Sequence, residues 1–137
     1  PSPQATIIFD WDDTLFPATH LKDMIAAKAR ASPKGAPVEL QLDMEAYAQK
    51  LKNVLTTASE LGNVAIITNS ARPWVTSSAE RFLPSLDFEH LQQELCIKVL
   101  YAYDHISRQS VQEAQLEEGS LDVNVFAKAR AMSKLIR

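Results

Sequence analysis

A single cysteine, Cys96, excludes an internal disulfide and any cysteine-built metal cage. With no base in view it reads as a small core residue. Long apolar runs are also missing. None approaches the ~20 residues that cross a bilayer, and no signal peptide precedes the first apolar segment. Nor does one sign of charge dominate: a net charge of -3 gives no electrostatic case for nucleic acid or an acidic membrane. Internal repeats and low-complexity tracts are absent. The remainder, 46% hydrophobic and 23% charged in 137 residues, matches one globular domain spanning residues 1–137, large enough for a sizeable core. A cytoplasmic location fits the lone cysteine. The opening Pro-Ser-Pro, without a methionine, reads as a processed chain or an excised fragment.

What the sequence does contain is concentrated in residues 5–15, Ala-Thr-Ile-Ile-Phe-Asp-Trp-Asp-Asp-Thr-Leu. The apolar, β-branched run has the length of a buried strand, here Thr6–Phe9, and it ends on three carboxylates and a threonine. Crowded carboxylates raise one another's pKa unless a cation or hydrogen-bond donors compensate. The spacing Asp10-x-Asp12-x-Thr14 therefore points to a hard divalent cation, a phosphate, or both. Asp13 reads instead as a turn or helix-capping residue, and Thr14 as a hydrogen-bonding partner within the acidic loop.

Further elements follow from periodicity. Residues 19–30 form a short helix, Ser32–Pro37 a loop, and Asp43 to Leu61 a long helix. Its apolar face is Met44, Tyr47, Ala48, Leu51, Val54, Leu55, Ala58 and Leu61. Gly62 stands where a left-handed cap belongs. Val64–Ile67 is a second buried strand, ending on Thr68-Asn69-Ser70. A helix starts near Pro73 and stops before Pro84, with Trp74 packed beneath it alongside Val75, Ser78 and Phe82. Ser85–Leu95 is a short helix and Cys96–Tyr103 a third strand terminated by Asp104. Residues 105–123 show weak pattern and read as loop. Asn124–Arg137 is helical, with Val125, Ala129, Met132 and Ile136 on one face. Alternating strands and helices predict an α/β domain with a Rossmann-like, mostly parallel sheet flanked by helices. Ligands of such sheets bind beyond the carboxyl ends of the strands. Asp10–Thr14, Thr68–Ser70 and Asp104 all lie there.

Those positions also carry a family resemblance. Phe9-Asp10-Trp11-Asp12-Asp13-Thr14-Leu15 resembles the first motif of haloacid dehalogenase-like phosphatases, and Ile66-Ile67-Thr68-Asn69 resembles their second. Lys128 is similar to their third-motif lysine, with Lys134 as a second candidate. The resemblance runs from Thr6 to about Arg137. It implies Asp10 as nucleophile and Asp12 as general acid/base. Thr68, Asn69 and Lys128 would hold the phosphoryl group. Magnesium would be bound by the Asp10 carboxylate and the Asp12 backbone carbonyl.

The family's fourth motif, an acidic pair after a further strand, has no match here. The expectation is a chain truncated before that motif, a site completed by another segment, or a catalytically weak relative. In the family the missing strand lies beside the first, so an open sheet edge could recruit a second copy. Asp104 and Asp122 are substitute metal ligands at most. No large cap domain is present, since Pro17–Val38 and His105–Val123 are both short. An open site favours an accessible or macromolecular phosphomonoester, such as a phosphoprotein. The alternative is a non-catalytic binding module that keeps the fold.

Two other metal readings fail by counting. A calcium loop from Asp10 needs glycine and glutamate at 15 and 21, where both residues are leucine. A two-component receiver needs an acceptor aspartate some forty residues on, and Asn53–Ser59 holds none. His20, His90 and His105 lack ligand spacing and read as surface residues. Arg72 could line the site.

Overall fold

A computed structural model describes residues 5–31 and 38–136. Three strands, β1 (Thr6–Asp10), β2 (Asn63–Thr68) and β3 (Lys98–Tyr101), form one parallel sheet in the order β1-β2-β3. Among the described residues six helices accompany them: α1 (Ala18–Ala31), α2 (Val38–Leu61), α3 (Trp74–Phe82), α4 (Phe88–Glu94), α5 (Arg108–Glu118) and α6 (Val123–Ile136). Single 3-10 turns occupy Pro84–Leu86 and Ala102–His105. The expected α/β architecture with a parallel sheet is present. The loop read over Ser32–Pro37 lies outside the described residues.

Parallel strands must be covered on both faces, and the side chains divide accordingly. Ile7, Phe9, Val64, Ile66 and Val99 pack with Trp11, Phe16, Leu51, Leu55, Val75 and Phe88 in the larger core, which draws on α2, α3 and α4. Ile8, Ile67, Leu100 and Ala102 face the smaller cluster with Ala127, Ala131 and Leu135 of α6. Register fixes where the strands end. Asp10 pairs with Ile67 and Thr68 with Tyr101, so the polar residues that follow all emerge along one sheet edge.

Several local expectations shift for physical reasons. The third strand is half the predicted length. Cys96 takes a left-handed backbone (φ 55), and Ile97 N–H bonds back to Gln92 O at 2.9 Å. These residues close α4 instead of entering the sheet. Cys96 is exposed, not a core residue. Residues 105–123 are not loop throughout, because α5 occupies Arg108–Glu118. It has no buried residue and so no apolar stripe to read. What holds its start is a capping box between Ser107 and Ser110.

The buried face of α6 is also not the one expected. Val125, Met132 and Ile136 are exposed, and Ala127 and Ala131 are fully buried. Two alanines four apart let the helix approach the sheet closely. On α2, Ala48, Leu51, Leu55 and Ala58 are buried as read, whereas Val54 and Leu61 are exposed. With Ile7 and Phe9 they line an apolar groove beside β1.

Gly62 is not a left-handed cap; its value is space. A Cβ there would lie 2.3 Å from Ala5 O, and the same carbonyl accepts the Asn63 N–H at 2.8 Å. Backbone against backbone cannot yield cheaply. Gly62→Ala is therefore expected to lower unfolding free energy by about 1–3 kcal/mol, read as a shift in urea midpoint.

Candidate functional site

Beyond Asp10 the chain folds into a tight turn. Trp11 O accepts from the backbone N–H of Thr14, Leu15 and Phe16 at 3.2, 3.1 and 2.9 Å. Trp11, Leu15 and Phe16 point inward, at 0%, 6% and 1% exposure. Trp11 stacks on Phe16 with ring centroids 5.5 Å apart, and its indole N–H donates to Ser78 Oγ at 3.0 Å. Tyr47 on α2 donates its hydroxyl to Leu15 O, and burial raises that phenol's pKa above its ordinary value. The inner half of the turn is thus anchored in the core, and the outer half carries the polar side chains.

Asp13 sits at φ 59, a backbone that aspartate tolerates better than most residues. Its carboxylate accepts from Thr19 N at 2.9 Å and Thr19 Oγ1 at 2.7 Å. It satisfies an orphan donor in the first turn of α1, the capping role expected of it. The Thr19 hydroxyl, then the Thr19 N–H, hold the Asp13 carboxyl below its ordinary value of 3.8. A carboxyl lowered on folding contributes stability above its unfolded pKa and loses it as pH falls through the folded value. Asp13→Asn should therefore be less stable than the parent at neutral pH. The gap should close as pH falls below about 4, in urea midpoints taken across that range.

Asp10, at the end of β1, is held by two donors on different oxygens. Thr14 Oγ1 donates to Oδ2 at 3.1 Å and Lys128 Nζ to Oδ1 at 2.7 Å. The ion pair is partly buried, with side-chain exposures of 28% for Lys128 and 37% for Asp10. It spans 118 residues of sequence. Lys128 reaches it because Ala127 and Ala131 bring α6 against the sheet. Lys134, the second candidate, is exposed in the last turn of the same helix.

Asp12 is held likewise, but by the second loop. Ser70 Oγ donates to Oδ2 at 2.6 Å and Trp74 Nε1 to Oδ1 at 2.7 Å. The ring of Trp74 does pack as expected, edge-on to Phe16 at 6.0 Å, yet its N–H serves the acidic turn. Sequence reasoning missed this bond and that of the Ser70 side chain. The available signal was that a half-buried indole N–H requires an acceptor.

Thr68 is 1% exposed, and its hydroxyl accepts from Ser70 N–H at 3.1 Å. This bond braces the turn and leaves the hydroxyl proton of Thr68, read as a phosphate ligand, free to donate. Asn69 is half-buried, and its Oδ1 has no hydrogen-bond partner. Arg72 pairs through Nε with Asp104 Oδ2 at 2.5 Å and lies over the Tyr101 ring, 4.9 Å from its centroid. Asp122 Oδ1 accepts from Asn124 N at 2.9 Å and Val125 N at 3.3 Å. It caps α6. His105 is half-buried rather than on the surface, with Nδ1 unpartnered.

The structure thus brings Asp10, Asp12, Thr14, Ser70, Trp74 and Lys128 to one edge of the sheet, over a turn braced by Thr68. Among the described residues, no three His, Cys, Asp or Glu converge to hold a metal. Magnesium does not require such a cage. It is commonly bound through one or two carboxylates, its remaining ligands being water and substrate phosphate. Asp10, partly exposed with lone pairs beyond its two donors, fits that mode. The Asp12 carboxylate likewise has one donor on each oxygen.

No described helix is long and apolar enough to cross a membrane. The chain matches no protein-family model, and no curated protein or solved structure is significantly similar to it.

Proposed function

We propose that the chain is a magnesium-dependent phosphatase of the haloacid dehalogenase type, working through an aspartyl-phosphate on Asp10. The observation that carries this reading is the Lys128–Asp10 pair at 2.7 Å. A lysine drawn from α6 onto a strand-end carboxylate places positive charge where a phosphate dianion would meet the nucleophile. Asp12, two residues on, is fixed by the second loop and free of that lysine.

In the first displacement an Asp10 oxygen attacks phosphorus and the bond to the leaving oxygen breaks. Asp12 donates the proton that the leaving oxygen takes. In the second, Asp12 removes a proton from water, the water oxygen attacks phosphorus, and the bond to Asp10 breaks. Lys128 offsets charge on nucleophile and phosphoryl group throughout. Thr14 keeps the Asp10 carboxylate in one orientation. Magnesium, held by the Asp10 carboxylate and the Asp12 backbone carbonyl, would supply further charge neutralisation.

Substrate class follows from access. The two positions where the family inserts a cap carry the single helices α1 and α5 among the described residues, so an accessible phosphomonoester, such as one on a protein, suits the site. The second reading, a binding module that keeps the fold, is favoured by one feature. Asp104, the substitute metal ligand, is committed to Arg72.

Hydrolysis of p-nitrophenyl phosphate separates the two. Magnesium-dependent turnover, with a hydroxylamine-sensitive phosphoryl group trapped on the chain, is expected of the enzyme. A folded chain with no turnover in magnesium overturns it.

A further inference from the structure

Arg72 lies at the carboxyl edge of the sheet and takes no part in the two displacements. Two residues to either side of it, Ser70 and Trp74 donate to Asp12 at 2.6 and 2.7 Å. The chain turns between them, closed by the Trp74 N–H on Ala71 O at 3.0 Å. The backbone of Arg72 is thus pinned on both sides to the acidic turn.

Its side chain reaches the end of β3. The guanidinium lies over the Tyr101 ring, 4.9 Å from its centroid, and Nε donates to Asp104 Oδ2 at 2.5 Å. Tyr101 is itself held, its hydroxyl accepting the Val75 N–H at 3.1 Å. A guanidinium carries five N–H donors, four of them on Nη1 and Nη2. Among the described residues those four make no hydrogen bond. An arginine side chain that is 64% exposed ordinarily keeps its rotamer freedom. This one is stacked and tethered, with its outer fork unspent.

We propose that Arg72 is a specificity residue whose Nη1–Nη2 fork receives an acidic side chain of a phosphoprotein substrate with its phosphate at Asp10. The inference rests on the phosphatase reading for the phosphate, but not for the carboxylate. A planar fork meets a carboxylate through two parallel N–H bonds. Spacing sets which carboxylate it meets. Tyr101 stands on β3 and Asp10 on β1, two strands away in the order β1-β2-β3. Strands about 4.8 Å apart put the guanidinium on the order of 10 Å from the nucleophile. An extended peptide advances about 3.3 Å per residue. The acidic residue therefore stands two or three positions from the phosphorylated one. Asp104 balances the charge of Arg72, and the whole chain carries -3. Attraction is thus local and directional, which suits a peptide carboxylate better than the long-range field of a nucleic-acid backbone.

Two phosphoserine peptides test this. One carries glutamate at the second and third positions on either side of the phosphoserine, and the other carries glutamine there. In the parent, kcat/KM is expected to be about fivefold or more higher for the glutamate peptide, and in Arg72→Gln the ratio should be near one. A merely structural loss would lower both peptides alike and leave the ratio unchanged. Asp104→Asn keeps an oxygen for Nε and removes the competing carboxylate, so the preference should widen. A ratio near one in the parent overturns the inference, as does a preference that survives in Arg72→Gln or narrows in Asp104→Asn.

Isothermal titration of the two peptides into Asp10→Asn provides the same comparison without turnover. The glutamate peptide should bind more tightly, and adding Arg72→Gln should remove the difference. Equal affinities in Asp10→Asn overturn the inference. No turnover of either peptide or of p-nitrophenyl phosphate by the parent, with that difference in affinity intact, would sink the phosphatase reading alone.

Discussion

Asp10→Asn is expected to remove turnover of p-nitrophenyl phosphate by at least about a thousandfold, ~4 kcal/mol of transition-state stabilisation. The amide has nearly the shape of the carboxylate, so the turn survives. Its oxygen is a poor nucleophile, and it can neither form the acyl phosphate nor attract the Lys128 ammonium. The ion pair is partly exposed, at 28% and 37%, and such pairs contribute about 0–1 kcal/mol to stability. The urea midpoint should therefore hardly move while activity disappears. That dissociation is what separates a nucleophile from a structural acid, and Asp13→Asn supplies the contrast by changing stability through Thr19. Activity retained in Asp10→Asn would place the nucleophile elsewhere.

Trp11→Ala should be the most destabilising single change considered. Trp11 is fully buried, stacked on Phe16 at 5.5 Å and tilted against Phe88 at 5.6 Å. Truncating such a ring costs about 3–5 kcal/mol, a large share of the 5–15 kcal/mol typical of a domain. The loss would appear in urea unfolding followed by circular dichroism. Trp11→Phe isolates the hydrogen bond. It keeps much of the packing and deletes the donor to Ser78 Oγ, a hydroxyl that still donates to Val75 O at 3.1 Å. Its cost should be nearer 1–2 kcal/mol. A small effect of Trp11→Ala would mean that the acidic turn does not hang on the core.

The parts of this fold that could be read from sequence are those where burial and periodicity coincide. β2 is buried from Val64 through Thr68, and an uninterrupted apolar run is what a central parallel strand requires. Asp10 and Asp12 were legible because charge at the end of such a run has to be compensated. Lys128 was one of two lysines on a single helix, and only the Ala127–Ala131 contact distinguishes them. That contact was hidden because alanine is a weak marker of burial beside the valine, methionine and isoleucine of the opposite face. α5 escaped because it buries nothing, although Ser107 and Gly119 mark its two ends. Thr68 was read as a phosphate ligand from its strand-end position. Its hydroxyl also closes a local bond to Ser70 that the sequence did not announce, a preference that threonine often shows at turns.

The two carboxylates differ in how far along the chain their partners lie. Those of Asp12 come from 58 and 62 residues on, and the lysine of Asp10 from 118. Contacts that close longer loops are entropically costlier to form early in folding. The pairing of β1 with β2, together with α3, is enough to bring both donors to Asp12. The lysine of Asp10 arrives only with the docking of α6. Of the two carboxylates, Asp10 is thus the one whose setting depends on the far end of the chain.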